Sequence, residues 1–421
     1  MNAAGHRTVT HFPMLSSSES ERLFHRRPRA VAIDGDVDLV STALGATLYI
    51  PAVRDNLADL IVRAGAAGSV SVVIDLEDAV PDEDVQSGVA AIVSTLDALS
   101  ARPSVPMVFV RVRHPGQIDE VLDAIAADTD TLAGFVLPKF SADTGRSFLD
   151  PIVAANTTRP HRLRAMPIIE TPRVLHLETR SEELHAIAEL LDAYRSVILA
   201  VRIGATDLSG AFGIRRDPDL TIYDVHPVAS VIASIVNVLG RRDGTGFIIT
   251  GPVWEYYNAH ERMFRPLLRN TPFREIDAVR FRNRLVSRDL DGLLRELVLD
   301  RANGLQGKTV IHPTHVNVVH SVCAVSHEEF VDALAVLNIS ERDLADVGAG
   351  GATQSVTDAV DAVGTPAADV GGVLPSEYRN KMNERRPHRN WAIRTLTRAT
   401  VFGVTRPEVG VIELLTAVVD R

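Results

Sequence analysis

The chain has 421 residues, 46% of them hydrophobic, and its 44 lysines and arginines against 54 acids leave a formal net charge of −10. That balance excludes a general nucleic-acid binder, whose footprint is basic, and a single cysteine, Cys323, excludes an internal disulfide framework and suits a reducing compartment. The opening "MNAAGHRTVTHFPMLSSSES" lacks the apolar stretch of a secretory signal, and no apolar run approaches the roughly 20 residues of a membrane span, so a cytoplasmic protein without a membrane partner is expected.

In chain order, residues 1–44 are polar and mixed and read as an N-terminal extension. Short apolar runs then alternate with helix-like stretches. The runs are "ATLYIPA" (46–52), "SVVIDLE" (71–77), "MVFVRVR" (107–113), "GFVLPKF" (134–140), "AMPIIET" (165–171), "VILAVRIGATD" (197–207), "GFIITGP" (246–252) and "KTVIHPT" (308–314). They are continuous rather than alternating, as in strands covered on both faces. Stretches such as "NLADLIVRAGAAG" between them imply βα units and a parallel sheet. Eight units close a (β/α)8 TIM barrel. The expected architecture is an α/β barrel over 45–335, with a helical insert at 253–305 before the last strand and a linker and helical tail over 336–421. No Gly-x-Gly-x-x-Gly follows the first run, so an open dinucleotide-binding sheet has no support.

A TIM barrel places its catalytic groups at the C-terminal ends of the strands. Run by run, those ends carry Arg54, then Glu77 and Asp78, then Arg111 and Arg113, Lys139, Glu170, Asp207 and His312. The three acids in "DLEDA" are either a hydrated turn or part of a shared site, and the ring of charges around one mouth favours the site. Carboxylates with room for water suit Mg²⁺. Lys139 among acids should stay cationic and bind anions rather than form a Schiff base. Arg54 is open between a phosphate contact and a surface ion pair. His312, before a proline, reads as a packing or hydrogen-bonding residue rather than a general base.

Six stretches together, "LYIPAVRDNLADLIVRAGAAGSVSVVIDLEDAVP", "VRVR", "GFVLPK", "IIET", "IGATDLSGAFG" and "GLQGKTVIHPTHV", resemble the HpcH/HpaI aldolase and citrate lyase β-subunit family in order, over roughly residues 45–335. The resemblance implies a TIM-barrel enzyme that uses Mg²⁺ to cleave or form a carbon–carbon bond beside a 2-oxo acid or acyl thioester, through an enolate. It implies Glu170 and Asp207 as metal ligands, Arg111 as the grip on a substrate carboxylate or oxyanion, and Glu77 with Asp78 as a supporting acid pair. Glu170, Arg54 and Lys139 complete the candidate substrate contacts. A small oxo acid, acyl-CoA or phosphorylated substrate and a homo-oligomer are expected.

Some positions depart from the acyl-CoA pattern. Arg113 adds a charge after "VRV", Pro172 and Arg173 stand where small residues are usual, and "ITGPVWEYYN" reads as lacking the acid often found after run seven. Between 262 and 288 lie eight arginines: Arg262, Arg265, Arg269, Arg274, Arg280, Arg282, Arg284 and Arg288. They form either a solvated helical face or a phosphate-recognising insert. A reading from a different class also stands, a barrel that binds a metal–oxo-acid or nucleotide ligand without turning it over, as a partner in a larger complex. In the tail, Met382, Trp391, Ile393 and Leu396 are expected to supply apolar packing contacts.

Overall fold

The computed structural model describes residues 7–102, 104–257, 290–346, 356–357, 360 and 372–419. The eight arginines from 262 to 288 lie outside the described residues. The chain divides into two compact units, one of residues 44–319 and one of residues up to 43 together with 320 onward.

The first unit is the barrel. Its strands are β1 (Ala46–Pro51), β2 (Ser71–Asp75), β3 (Met107–Arg111), β4 (Leu132–Leu137), β5 (Arg164–Ile169), β6 (Arg202–Ile203), β7 (Gly251–Trp254) and β8 (Lys308–Val310). Pairing is parallel, in the order β7-β8-β1-β2-β3-β4-β5-β6. The remaining gap is bridged by single bonds: Val201 N–H donates to Ile248 O at 2.8 Å and Thr250 N–H to Val201 O at 2.9 Å. Run seven therefore contributes to closure at 248–250, ahead of its regular ladder at 251–254. Val72, Val73 and Ile74 are consecutive and all fully buried, because helices cover one face of β2 and the barrel interior the other. Along the helix Leu57–Ala66, the buried residues Leu57, Ile61 and Ala64 recur at helical spacing and mark its barrel-facing stripe.

Lys308, at the start of β8, is held by a buried brace away from the C-terminal strand ends. Its ammonium meets Glu296 Oε1 at 2.9 Å and Asp300 Oδ2 at 2.7 Å, both from the helix Leu290–Ala302. Arg216 pairs with the other oxygen of Glu296, and Tyr223 donates to Asp300 at 2.8 Å. Two cations thus face two carboxylates, the condition under which buried charge is tolerated.

In the second unit, Thr8–Val9 pairs antiparallel with Val31–Ala32, and Phe24–Arg26 with Val404–Thr405. The helix Arg385–Phe402 packs on His327–Leu337 and Val37–Ala43. Leu396 is buried there as its apolar character requires, whereas Met382 is 57% exposed because the strand Met382–Glu384 turns Asn383 inward instead. Among the described residues no helix is long and apolar enough to cross a membrane.

Candidate active site

Asp75 and Arg111 are the last residues of β2 and β3 and are register partners. Their side chains therefore point the same way and meet: Arg111 Nε and Nη2 donate to Asp75 Oδ1 and Oδ2, both at 2.6 Å. The third nitrogen, Nη1, lies 2.6 Å from Glu77 Oε2 and 3.2 Å from Asp78 Oδ2. One guanidinium thus gathers all three acids of "DLEDA". Asp75 also accepts the Glu77 N–H at 3.0 Å, which folds the chain back after the strand. Burial works against the Arg111 charge, but Asp75 outweighs it and the pKa is raised, so the group stays ionised.

Arg113 has a different task from the one its sequence position suggests. It donates to the carbonyls of Leu76 at 2.8 Å and Glu77 at 3.1 Å, also reaches Val80 O, and pairs with Asp82. It braces the loop that carries Glu77 and Asp78 and adds no free charge to the mouth. Arg173 likewise pairs with Glu183 at 2.6 Å, and Pro172 opens the short helix Pro172–Leu175.

Beyond β4 the chain turns through Lys139, which sits at φ +46°, a left-handed conformation that costs a non-glycine residue and that clusters at functional sites. The turn aims its N–H at Glu170 Oε1, 2.8 Å away, while the ammonium pairs with Glu77. Burial opposes the Lys139 charge, but Glu77, Asp78 and Asp207 prevail and hold its pKa above the usual lysine value.

Glu170 follows β5 directly and is 6% exposed. Among the described residues, neither it nor Asp207 has an ion-pair partner within 4.0 Å. Burial, reinforced by Asp207 and Glu77 against the Lys139 hydrogen bond, pushes the Glu170 pKa up to about 8. Gly204 separates β6 from the helix Ala205–Gly210, which carries Asp207. A Cβ on Gly204 would lie 1.7 Å from Glu170 Oε2, so only glycine lets the carboxylate sit beside that turn. Glu170 and Asp207 border a cavity of about 300 Å³, whose wall includes Tyr49, Asp78, Arg111, Arg202, Glu255 and Thr309. Arg54 stands exposed outside that wall, and His312 stacks on Tyr257 with ring centroids 5.0 Å apart and 2° between planes.

A family model for a carbon–carbon bond lyase of the TIM-barrel fold matches residues 38–350 and 351–404. The chain belongs to this family. The match extends beyond "GLQGKTVIHPTHV" and takes in most of the tail, to residue 404. Among solved structures, a citrate lyase from Burkholderia xenovorans is 15% identical with a TM-score of 0.54, covering 88% of this chain and 96% of that one. The citrate lyase β subunit of Mycobacterium tuberculosis, complexed with oxaloacetate and magnesium, is 20% identical over 67% of this chain and 98% of its own, with a TM-score of 0.42. A Haloferax volcanii malate synthase in complex with magnesium and glyoxylate is 14% identical over 64% and 72%, with a TM-score of 0.45. No curated protein sequence matches.

Three wall residues of this carbon–carbon lyase escape a reading of strand ends. Glu255 stands one position after β7, accepts a hydrogen bond from Thr206 at 3.1 Å and is the acid that run seven seemed to lack. Tyr49 lies inside β1, with the Arg111 and Arg202 guanidiniums 5.3 and 5.5 Å from its ring centre. Arg202 lies inside run six. A charge within an otherwise apolar run is the signal that marks it.

Proposed function

We propose that the cavity binds a small 2-oxo acid with Mg²⁺ held by Glu170 and Asp207, and that the enzyme cleaves or forms the carbon–carbon bond next to the oxo group. One observation carries this reading: two carboxylates, one of them nearly buried, share a cavity wall without an ion-pair partner among the described residues. A buried carboxylate in that state is costly unless a cation joins it. The donor set fits the ion. Mg²⁺ uses one or two carboxylates and leaves the remaining positions to water and substrate, and Glu170 and Asp207 are two carboxylates on one cavity wall.

When bound, such a cation supplies Lewis-acid charge against a developing enolate. The chain's own residues do the rest. The Lys139 N–H fixes one oxygen of Glu170 and leaves the other beside Gly204. Arg111, clamped by Asp75, holds Glu77 and Asp78 in place at the mouth; groups fixed in advance need no rearrangement as the reaction proceeds. Lys139, cationic and half exposed, is available to an anionic substrate group.

The test is proton exchange. With Mg²⁺ in D₂O, the protein should exchange the methyl protons of pyruvate, followed by NMR. Exchange should vanish in Glu170→Gln and Asp207→Asn. A protein that binds pyruvate and Mg²⁺ but exchanges nothing is a binding barrel, and the lyase reading fails.

A further inference from the structure

Among the described residues, one arginine inside the barrel has no carboxylate within ion-pair distance. Arg202 is 1% exposed, yet the groups around its guanidinium are neutral. Nη1 donates to Thr47 Oγ1 at 3.3 Å and lies 3.7 Å from Met166 Sδ, and Nη2 donates to Thr309 Oγ1 at 2.7 Å. Nε is buried with no hydrogen-bond partner. No Asp or Glu among the described residues lies within 4.0 Å of it. The contrast with Arg111 is sharp in chemical terms. Arg111 spends its Nε and Nη2 edge on Asp75 and its Nη1 on two further acids, so little of its donor capacity is left for a substrate. Arg202 keeps its charge uncompensated.

Packing alone does not account for this. A buried cation facing only hydroxyls, a thioether and the Tyr49 ring, with its centre 5.5 Å away, still lacks a counter-charge, and an apolar side chain of similar volume would serve a barrel interior better. The cost makes sense where an anion arrives. Arg202, Thr309 and Tyr49 all border the same cavity as Glu170 and Asp207. Thr47 and Thr309 are register partners on β1 and β8, so Arg202 reaches across the barrel from β6 to be held by two adjacent strands. It is a positioned donor. Burial lowers its pKa, countered by Tyr49, and Arg111 lowers it further; both trends are relieved by a bound anion.

We propose that Arg202, with Thr309 and Tyr49, is the anion seat of the cavity and takes a carboxylate of the substrate. Guanidinium offers a carboxylate parallel donors that an ammonium cannot. The proposal rests on the reading of the cavity as the substrate site, but not on the metal.

The experiment is calorimetric titration of the full chain with oxalate, and separately with malonate, in Mg²⁺ and in metal-free buffer, on the parent, Arg202→Met and Arg202→Lys. Mg²⁺ alone is titrated as a control. Arg202→Met should bind the dicarboxylates at least tenfold more weakly, bind Mg²⁺ within twofold of the parent, and show a ligand-free Tm equal to or above the parent's. Arg202→Lys should fall between. Dicarboxylate affinity within twofold of the parent in Arg202→Met overturns the proposal, as does a parent that binds neither anion in either buffer. If Arg202→Met does not fold, Thr309→Val and Tyr49→Phe replace it; threefold or greater loss is expected in each, and unchanged affinity in both overturns the assignment. A parent that binds no Mg²⁺ but shows Arg202-dependent anion binding would sink the metal reading and leave the anion seat standing.

Discussion

Asp75 and Arg111 close into a forked ion pair because they end neighbouring parallel strands in register, with both N···O distances 2.6 Å. The pair is nearly buried, with side chains 3% and 11% exposed, whereas Asp78, on the same guanidinium, is 57% exposed. Asp75→Asn should therefore destabilise the barrel by about 3 kcal/mol, since it leaves buried charge under-compensated. Asp78→Asn should cost under about 1 kcal/mol, the range of exposed pairs. Denaturant unfolding of the two variants checks this; equal losses would show that register does not set the hierarchy.

Glu170 predicts a pH dependence with a definite sign. Its folded pKa of about 8 lies above the ordinary 4.5, so the folded protein holds the proton more tightly. The associated stability is full below the ordinary value and is lost as pH rises towards 8. A cation must displace that proton. Mg²⁺ affinity should rise by up to about tenfold per pH unit below 8 and level off above it. Titrations at pH 6, 7, 8 and 9 read this directly, and a flat profile would remove Glu170 from the proton balance.

Gly204→Ala tests the close approach behind Glu170. With a Cβ built 1.7 Å from Oε2, the carboxylate must swing away. The fold should lose about 1–3 kcal/mol, as for other overpacked sites. Mg²⁺ affinity should fall at least tenfold, more than that stability loss alone would cause in a still-folded protein. Retained affinity with lowered stability would mean the backbone, not the carboxylate, had moved.

The second unit carries its own acid sensitivity. His320 is fully buried, with its ring 4.4 Å from that of His11. Burial lowers the His320 pKa to about 3, and burial with the His320 charge lowers that of His11. A depressed folded pKa means the unfolded chain takes the proton first, so stability is full above about 6.5 and is lost as pH falls. From His320 alone the loss at pH 5 is about 2 kcal/mol. His320→Phe should flatten the profile between pH 7 and 5, as monitored by thermal unfolding. Parallel profiles for the variant and the parent would rule the histidine out.

The alternation of continuous apolar runs with helical stretches was enough to identify a parallel α/β barrel, because strands buried on both faces and helices buried on one leave different periodicities in the chain. The positions of Glu77, Asp78, Arg111, Lys139, Glu170 and Asp207 near strand ends followed from the same pattern. The partners of those side chains did not. Arg113 and Arg111 are two residues apart and look alike in sequence. Yet one points along the strand register into carboxylates, and the other is caught by carbonyls of a loop whose path only the folded chain defines. Glu170 owes its seat to Gly204, 34 positions later in sequence, and to the left-handed turn at Lys139. Arg202 meets Thr47 and Thr309, 155 and 107 residues away, because barrel closure brings β6, β1 and β8 around one interior. Local pattern is written in the energetics of neighbouring residues. Which charges share a cavity depends on strand order and register, and these are decided only when the sheet closes.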